Sequence, residues 1–158
     1  MNNLVIVDTT VFLNILDVPA FNQDRENVVE NMKKFIEQDA SFILPISTIW
    51  ETGNHIAHLS NGNVRRQNAL KFVEQVKKSI NDESPFKTSE LPNKTDLARW
   101  LDTFPDAVQR NKSDEKPNEG LSWGDRTIIG ELEKMRQKYP RANISIWSLD
   151  KDLSAYGN

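Results

Sequence analysis

The 158-residue sequence predicts an α/β protein: a three-layer α/β/α arrangement around a mostly parallel central sheet. Three observations lead there. Leu4-Val-Ile-Val7, Ser41-Phe-Ile-Leu44 and Asn143-Ile-Ser-Ile-Trp-Ser148 are short apolar or β-branched runs, the habit of strands covered by helices. The longer stretches between them carry apolar residues at helical spacing. Strands and helices alternate, which indicates parallel crossovers. Leu, Ile, Val and Phe make up roughly a quarter of the chain, above the ~20% level below which disorder sets in. A length near 150 suits one domain, residues 1–158, with a core of its own.

The first strand ends at Asp8 and passes through Thr9 and Thr10 into an apolar helix, Val11 to Leu16. Residues 24–38 form an amphipathic helix in which Val28, Val29, Met32, Phe35 and Ile36 share a stripe and Asp24 is placed to cap. Pro45 ends the second strand. Ser47 or Thr48 then caps a helix through Ile49, Trp50, Ile56, Ala57 and Leu59, and Asn61-Gly-Asn63 breaks the chain. Residues 64–80 form a further helix with Val64, Leu70, Val73, Val76 and Ile80 expected inward. Residues 81–95, polar and holding Pro85 and Pro92, read as a loop. Leu97, Trp100, Leu101 and Phe104 suggest a short helix, with Val108 beyond an interruption at Pro105. Residues 109–120 contain no aliphatic side chain and read as a second, mobile loop. Ser122 is placed to cap the next helix, which carries Asp125, Ile128, Ile129, Leu132 and Met135 near one face. The last strand is followed by Leu149-Asp-Lys-Asp152 and a short C-terminal helix.

The chain has no cysteine, which excludes a disulfide scaffold, a thiolate zinc site and a thiol nucleophile. Its glycines are scattered singly, so no phosphate-binding glycine loop is present. The apolar run at residues 4–7 is too short to span a membrane and has no basic residue before it, so no membrane association and a cytoplasmic location are expected. There are 20 basic and 23 acidic side chains, a net charge of −3.

Four acids stand where an open α/β sheet forms its ligand crevice, outside the carboxyl ends of parallel strands. Asp8 closes the first strand, Asp150 follows the last, and Glu51 and Asp125 lie in first turns of helices. An acid facing a core is costly unless it is paired or binds a cation, and convergent carboxylates cannot all ionise without one. Hard oxygen ligands with few histidines suit Mg²⁺ or Mn²⁺, the usual equipment for phosphodiester hydrolysis. Each acid also has a plain structural reading: Glu51 in a Thr48-x-x-Glu51 capping box, Asp125 on a helix dipole, Asp8 as a cap, Asp150 and Asp152 in a turn. The weight lies in all four falling at strand ends or first turns of one sheet. Setting four acids aside at one site leaves 20 basic against 19 acidic side chains, so the net charge does not rule out a nucleic acid.

The residues reach a known pattern. Leu4-Val-Ile-Val-Asp8-Thr9-Thr10-Val-Phe-Leu-Asn-Ile-Leu16 resembles the opening of PIN-domain ribonucleases, a hydrophobic strand, an Asp-Thr-Asn/Ser turn and an apolar helix. Pro45-Ile-Ser-Thr-Ile-Trp-Glu51, Gly124-Asp125-Arg-Thr-Ile128 and Ile146-Trp-Ser148-Leu-Asp150-Lys-Asp152-Leu153 resemble the segments that deliver the remaining acids. The likeness spans roughly residues 4–153, with Thr10 and Leu153 at positions more often Asn or Ser and Phe. It implies a PIN-like nuclease domain. Asp8, Glu51, Asp125 and Asp150 would be both the metal ligands and the catalytic acids, with Thr10 and Ser148 orienting a water or a carboxylate. The implied reaction is Mg²⁺- or Mn²⁺-dependent hydrolysis of RNA by in-line attack of water. The VapC-type toxins of the family add an antitoxin protein and a homodimer as expected partners beside the RNA.

Other side chains admit two readings. Glu51, His55 and His58 share a helical spacing that fits either a Glu-x-x-x-His-x-x-His metal site or a hydrogen-bonded surface pair. Arg65, Arg66, Lys71, Lys77 and Lys78 either track an RNA backbone or form a solvated face paired to Glu74. Arg126, Arg110 and Lys112 are further candidates for phosphate contact, and Trp123 either stacks on a base or packs. Arg65, Arg66, Lys71 and Arg126 are the RNA-binding candidates. A phosphoryl-accepting Asp8 is disfavoured because such enzymes want a second Asp where Thr10 stands, and a receiver-like module because Asn2-Asn3 replaces its early acidic pair. A non-catalytic PIN-like scaffold or an acidic-pocket binding module remains the alternative to the nuclease.

Overall fold

The computed structural model describes residues 2–157. The chain order is β1 (Asn3–Val7), α1 (Thr9–Ile15), α2 (Arg25–Glu37), β2 (Ala40–Leu44), α3 (Ile46–Ala57), α4 (Gly62–Ile80), β3 (Phe86–Thr88), α5 (Lys94–Gln109), α6 (Trp123–Lys138), β4 (Asn143–Trp147) and α7 (Lys151–Ser154), followed by a 3₁₀ turn at Ala155–Gly157. The four strands pair in the order β3-β2-β1-β4, every pair parallel. Val5 lies opposite Phe42 on one side and Ser145 on the other.

Alternation along the strands divides the core in two, as strands buried on both faces require. Val5, Val7, Phe42, Leu44 and Trp147 face α1 to α4, among Val11, Phe12, Leu13, Val28 and Ile56. Ile6, Ile43, Ile144 and Ile146 face the other way, among Ile128, Ile129, Leu132, Met135 and Leu153 of α6 and α7. The result is the expected three-layer α/β/α arrangement. Phe42 joins the first core through ring contacts with Phe35, Phe86 and Trp147 at centroid distances of 6.0, 5.3 and 6.0 Å. No helix among the described residues is long and apolar enough to cross a membrane.

Four local expectations change. The segment 81–95 is not all loop: Phe86–Thr88 adds β3 to the edge of the sheet, with Phe86 buried. A three-residue strand with one core side chain leaves too little periodicity to read. The helix at 97–104 runs unbroken through Pro105 as α5. On α4, Leu70, Val73 and Ile80 are exposed, while Asn68 and Ser79 are buried. Its inner face follows Val64, Asn68, Phe72 and Val76, since α4 meets α3 and β3 rather than the full sheet. Finally, α3 begins at Ile46 with Pro45 in the cap position. Thr48 therefore does not cap it but donates its hydroxyl to the carbonyl of Val7 at 2.8 Å.

Glu131 is an exception in the core, 3% exposed on α6 with Oε1 unpartnered. Burial pushes its carboxyl above the ordinary value of 4.5 and outweighs the pull of Lys134. The folded chain then holds this proton more tightly than the unfolded chain, so stability falls as pH rises from about 4.5 through the raised value. Glu131→Gln is expected to be more stable than the parent at neutral pH. The gap should close below the ordinary value, which urea denaturation at several pH values would measure.

Candidate active site

The strand order places neighbours that are remote in sequence, β1 and β4, side by side at the point where the connections reverse direction. Asp8 leaves the end of β1 and Ser148 and Asp150 leave the end of β4. The backbone N–H of Asp8 extends the strand pairing by donating to the Trp147 carbonyl at 3.0 Å. Glu51 comes from α3 and Asp125 from the first turn of α6. All four acids line one crevice of about 490 Å³, together with Thr9, Thr10, Asn14, His55 and Lys116.

Asp8 is 4% exposed. Ser148 donates its hydroxyl to Asp8 Oδ2 at 2.7 Å and Thr10 donates to the same oxygen at 3.0 Å. Thr10 Oγ1 also accepts from the backbone of Leu149 at 3.1 Å, and Ser148 Oγ from that of Asp150 at 3.0 Å. The two hydroxyls named from the sequence thus tie the β1 end to the β4 end. Asp8 sits at the cap position of α1 but makes no capping bond. Desolvation pushes its carboxyl above the ordinary range despite the hydroxyl donors, with the Asp125 charge adding to the rise.

Glu51 does not form the capping box either. Its Oε2 accepts from the Thr9 hydroxyl at 2.9 Å. Burial, then the charges of Asp8 and Asp125, push it upward against the Thr9 bond. Neither Asp8 nor Glu51 has a lysine or arginine partner among the described residues.

The other two acids do. Lys112, 11% exposed in its side chain, places Nζ 2.8 Å from Asp125 Oδ2 and 3.0 Å from Asp150 Oδ2. Lys116 Nζ lies 3.3 Å from Asp150 Oδ1 and 3.2 Å from Asp152 Oδ2. Asp150 also caps α7 by accepting from the backbone of Asp152 at 3.1 Å. Burial pushes Asp150 up, but the Lys112 bond and its companions outweigh this and hold it below the usual carboxylate range. Its partner's ammonium is held above the ordinary lysine value, the pull of Asp125 and Asp150 exceeding the cost of burial. Among the described residues, no three acids or histidines converge closely enough to enclose an ion in this arrangement. The donor set itself, carboxylates and hydroxyls, suits a hard cation such as Mg²⁺ or Mn²⁺.

A larger cavity, about 750 Å³, opens at the other end of the sheet beside Asn2, Ser41 and Ala142. Its charges are largely paired: Asp96 with Lys134 at 2.7 Å and Arg99 at 3.1 Å, Glu90 with Lys138 at 2.9 Å. The exception is Glu131, which also lines this cavity with Oε1 unpartnered.

The structure is similar to the crystal structure of FitAcB from Neisseria gonorrhoeae, with a TM-score of 0.56 and 18% sequence identity over 97% of this chain and 92% of that chain. It is also similar to the structure of FitAB bound to IR36 DNA fragment, with a TM-score of 0.55 and 17% identity over 97% of this chain and 90% of that one. The fold is that of a PIN domain. No protein-family model and no curated protein sequence matches the chain.

Within this PIN fold the basic candidates are scattered. Arg126 is 6% exposed, its Nε donating to the Thr103 hydroxyl at 2.9 Å, and serves the α5–α6 interface. Arg65 donates to the Leu59 carbonyl at 2.6 Å and Lys71 to that of Asp17 at 3.2 Å. Arg65 and Arg66 border a separate apolar groove with Leu70 and Val73. Of the histidines, His55 reaches the crevice and rests on Phe21 at 4.7 Å, while His58 turns back to the Asn54 carbonyl at 2.7 Å. Trp123 packs edge-on against Phe104 at 5.2 Å.

Three contributors escape the sequence reading: Thr9, which holds Glu51 but reads only as a turn residue, Lys116 and Gly124. Lys116 lay in a stretch that reads only as polar loop. Gly124 looks like an isolated glycine, yet a Cβ there would collide with Glu51 Oε1; its only signal was adjacency to Asp125.

Because Asp8 is a buried acid with no lysine or arginine partner among the described residues, removing its charge should stabilise the metal-free fold. Asp8→Asn is expected to melt higher than the parent in EDTA, by about 2–4 °C for each kcal/mol relieved. Calorimetric melting of the two proteins checks this.

Proposed function

We propose that the chain is a Mg²⁺- or Mn²⁺-dependent endoribonuclease that hydrolyses RNA phosphodiester bonds, acting as the toxin of a toxin–antitoxin pair. The observation that carries the proposal is the convergence of Asp8, Glu51, Asp125 and Asp150 on one crevice at the carboxyl ends of β1 and β4. The PIN fold and its likeness to FitAB, a toxin–antitoxin system, support the same reading. They also support an antitoxin protein as partner.

Asp8 and Glu51, lacking basic partners, would hold the cation, with Asp125 beside them. When bound, the divalent ion supplies positive charge against the scissile phosphate and acidity to a water. Ser148 and Thr10 fix the Asp8 carboxylate through its Oδ2, leaving Oδ1 free of side-chain donors. Thr9 fixes Glu51 through Oε2. The crevice is open on the side of Thr10 and Leu149, both exposed, which admits a strand of RNA. Arg66, exposed on α4, would be the phosphate contact outside the crevice, with Arg65 and Lys71 engaged by the Leu59 and Asp17 carbonyls. A second reading, a non-catalytic PIN-like scaffold with an acidic pocket, draws on the lysines that neutralise Asp125 and Asp150.

Incubation of the purified chain with RNA decides between them. Cleavage should appear with added Mn²⁺ or Mg²⁺, vanish in EDTA and vanish in Asp8→Asn; full activity in EDTA or in the variant would overturn the nuclease, and no cleavage under any condition would favour the scaffold. Ser148→Ala should lose about 10–100-fold, the usual cost of freeing a ligand's supporting partner. Gly124→Ala pushes the end of a flexible side chain rather than backbone. It should leave stability within about 1 kcal/mol of the parent while lowering cleavage, a combination that melting and rate measurements on one preparation would show.

A further inference from the structure

Resting on the metal-dependent reading above, we infer that the crevice takes a single divalent cation and that the ammonium of Lys112 is its resident second cation, seated between Asp125 and Asp150. The oxygens of Asp150 are all committed. Oδ2 faces Lys112 at 3.0 Å, and Oδ1 faces Lys116 at 3.3 Å and accepts from the Asp152 backbone at 3.1 Å. Asp125 gives Oδ2 to Lys112 at 2.8 Å, while its Oδ1 has no partner among the described residues. A divalent ion needs oxygen ligands at ~2.0–2.2 Å, so it cannot share the Oδ2 atoms of Asp125 and Asp150 with an ammonium that already lies between them.

The lysine is held there by its own loop. The Lys112 backbone N–H donates to the Glu119 carbonyl at 2.6 Å, and that of Lys116 to the Ser113 carbonyl at 3.1 Å, which folds residues 112–119 into a closed turn. Gly120 lets the turn return against the Val108 carbonyl, where a Cβ would not fit. The site is thereby split into two halves of different character. On one side Asp8 and Glu51 have no lysine or arginine partner among the described residues, their side-chain donors being the hydroxyls of Ser148, Thr10 and Thr9. On the other, Asp150 faces two ammonium groups, Lys112 at 3.0 Å and Lys116 at 3.3 Å. The half without a basic partner, Asp8 and Glu51 with the free oxygen of Asp125, is the one that needs an ion.

Calorimetric titration with Mn²⁺ of the full chain, Lys112→Met and Lys116→Met tests this, with circular dichroism to verify folding. One ion should bind per chain in the parent and in Lys116→Met, and two in Lys112→Met. Electron spin resonance adds a readout independent of catalysis, because two Mn²⁺ ions ~3.5–4 Å apart couple magnetically; the coupled signal should appear only in Lys112→Met. Two ions in the parent, or one in a folded Lys112→Met, overturns the inference and leaves the nuclease reading in place. No Mn²⁺ binding by the parent overturns both. The parent's stoichiometry is decisive even where the variant does not fold.

Discussion

A carboxylate buried at the end of a parallel strand must be held by something other than water, and for Asp8 that is the Ser148 hydroxyl, 2.7 Å away on the end of the adjacent strand. The bond joins residues 140 positions apart and exists only because β1 and β4 run parallel and in register, Val7 opposite Trp147. From it the rest of the site follows. Ser148 passes the constraint to the Asp150 backbone, Asp150 starts α7, and Leu153 of α7 plugs the second core. Thr10 closes the same circuit from the α1 side through Leu149. These bonds fix the acids where they leave the sheet, as the proposed in-line chemistry would require.

Rigidity brings an electrostatic cost, and the chain meets it unevenly. Asp8 and Glu51 remain without a basic partner and destabilise the fold in their charged forms. Asp125 and Asp150 are relieved by Lys112. A stable protein without function would relieve all four, for example by replacing Asp8 with an apolar residue of the β1 type. Retaining unpaired carboxylates in a partly dry crevice is the sort of strain that function, rather than folding, maintains.

The sheet and the first and last motifs were legible because their signals are local: an unbroken apolar run, an Asp at its end, hydroxyls at fixed offsets. Glu51 was ambiguous in sequence because Thr48-x-x-Glu51 satisfies a capping box, and only the Thr48 bond to Val7 shows that the helix begins earlier. The α4 stripe was misassigned because Leu70, Val73 and Ile80 are apolar, while the residues that touch the neighbours include Asn68 and Ser79. Both bury their polar ends by donating to carbonyls one turn back, at 2.8 Å each. Such local satisfaction leaves no trace in a hydropathy pattern. Of the lysines over the site, Lys112 reads in sequence only as a candidate phosphate contact and Lys116 only as loop, since residues 109–120 lack the periodicity that orients a side chain.

The polar composition of that loop becomes intelligible once its position is known. A loop that lies over carboxylates gains from ammonium groups and from turns, not from aliphatic side chains. Its two site lysines also change what the net charge means. Taking Lys112 and Lys116 with Asp8, Glu51, Asp125, Asp150 and Asp152 out of the 20 basic and 23 acidic side chains leaves 18 of each. The whole formal charge of −3 therefore resides in the crevice, and the remaining surface is balanced. A balanced surface exerts little long-range pull on a polyanion, so in the proposed nuclease the attraction for a phosphate would have to be created inside the crevice by the cation. For the proposed nuclease, uptake of that cation and attraction of the substrate would be one electrostatic event.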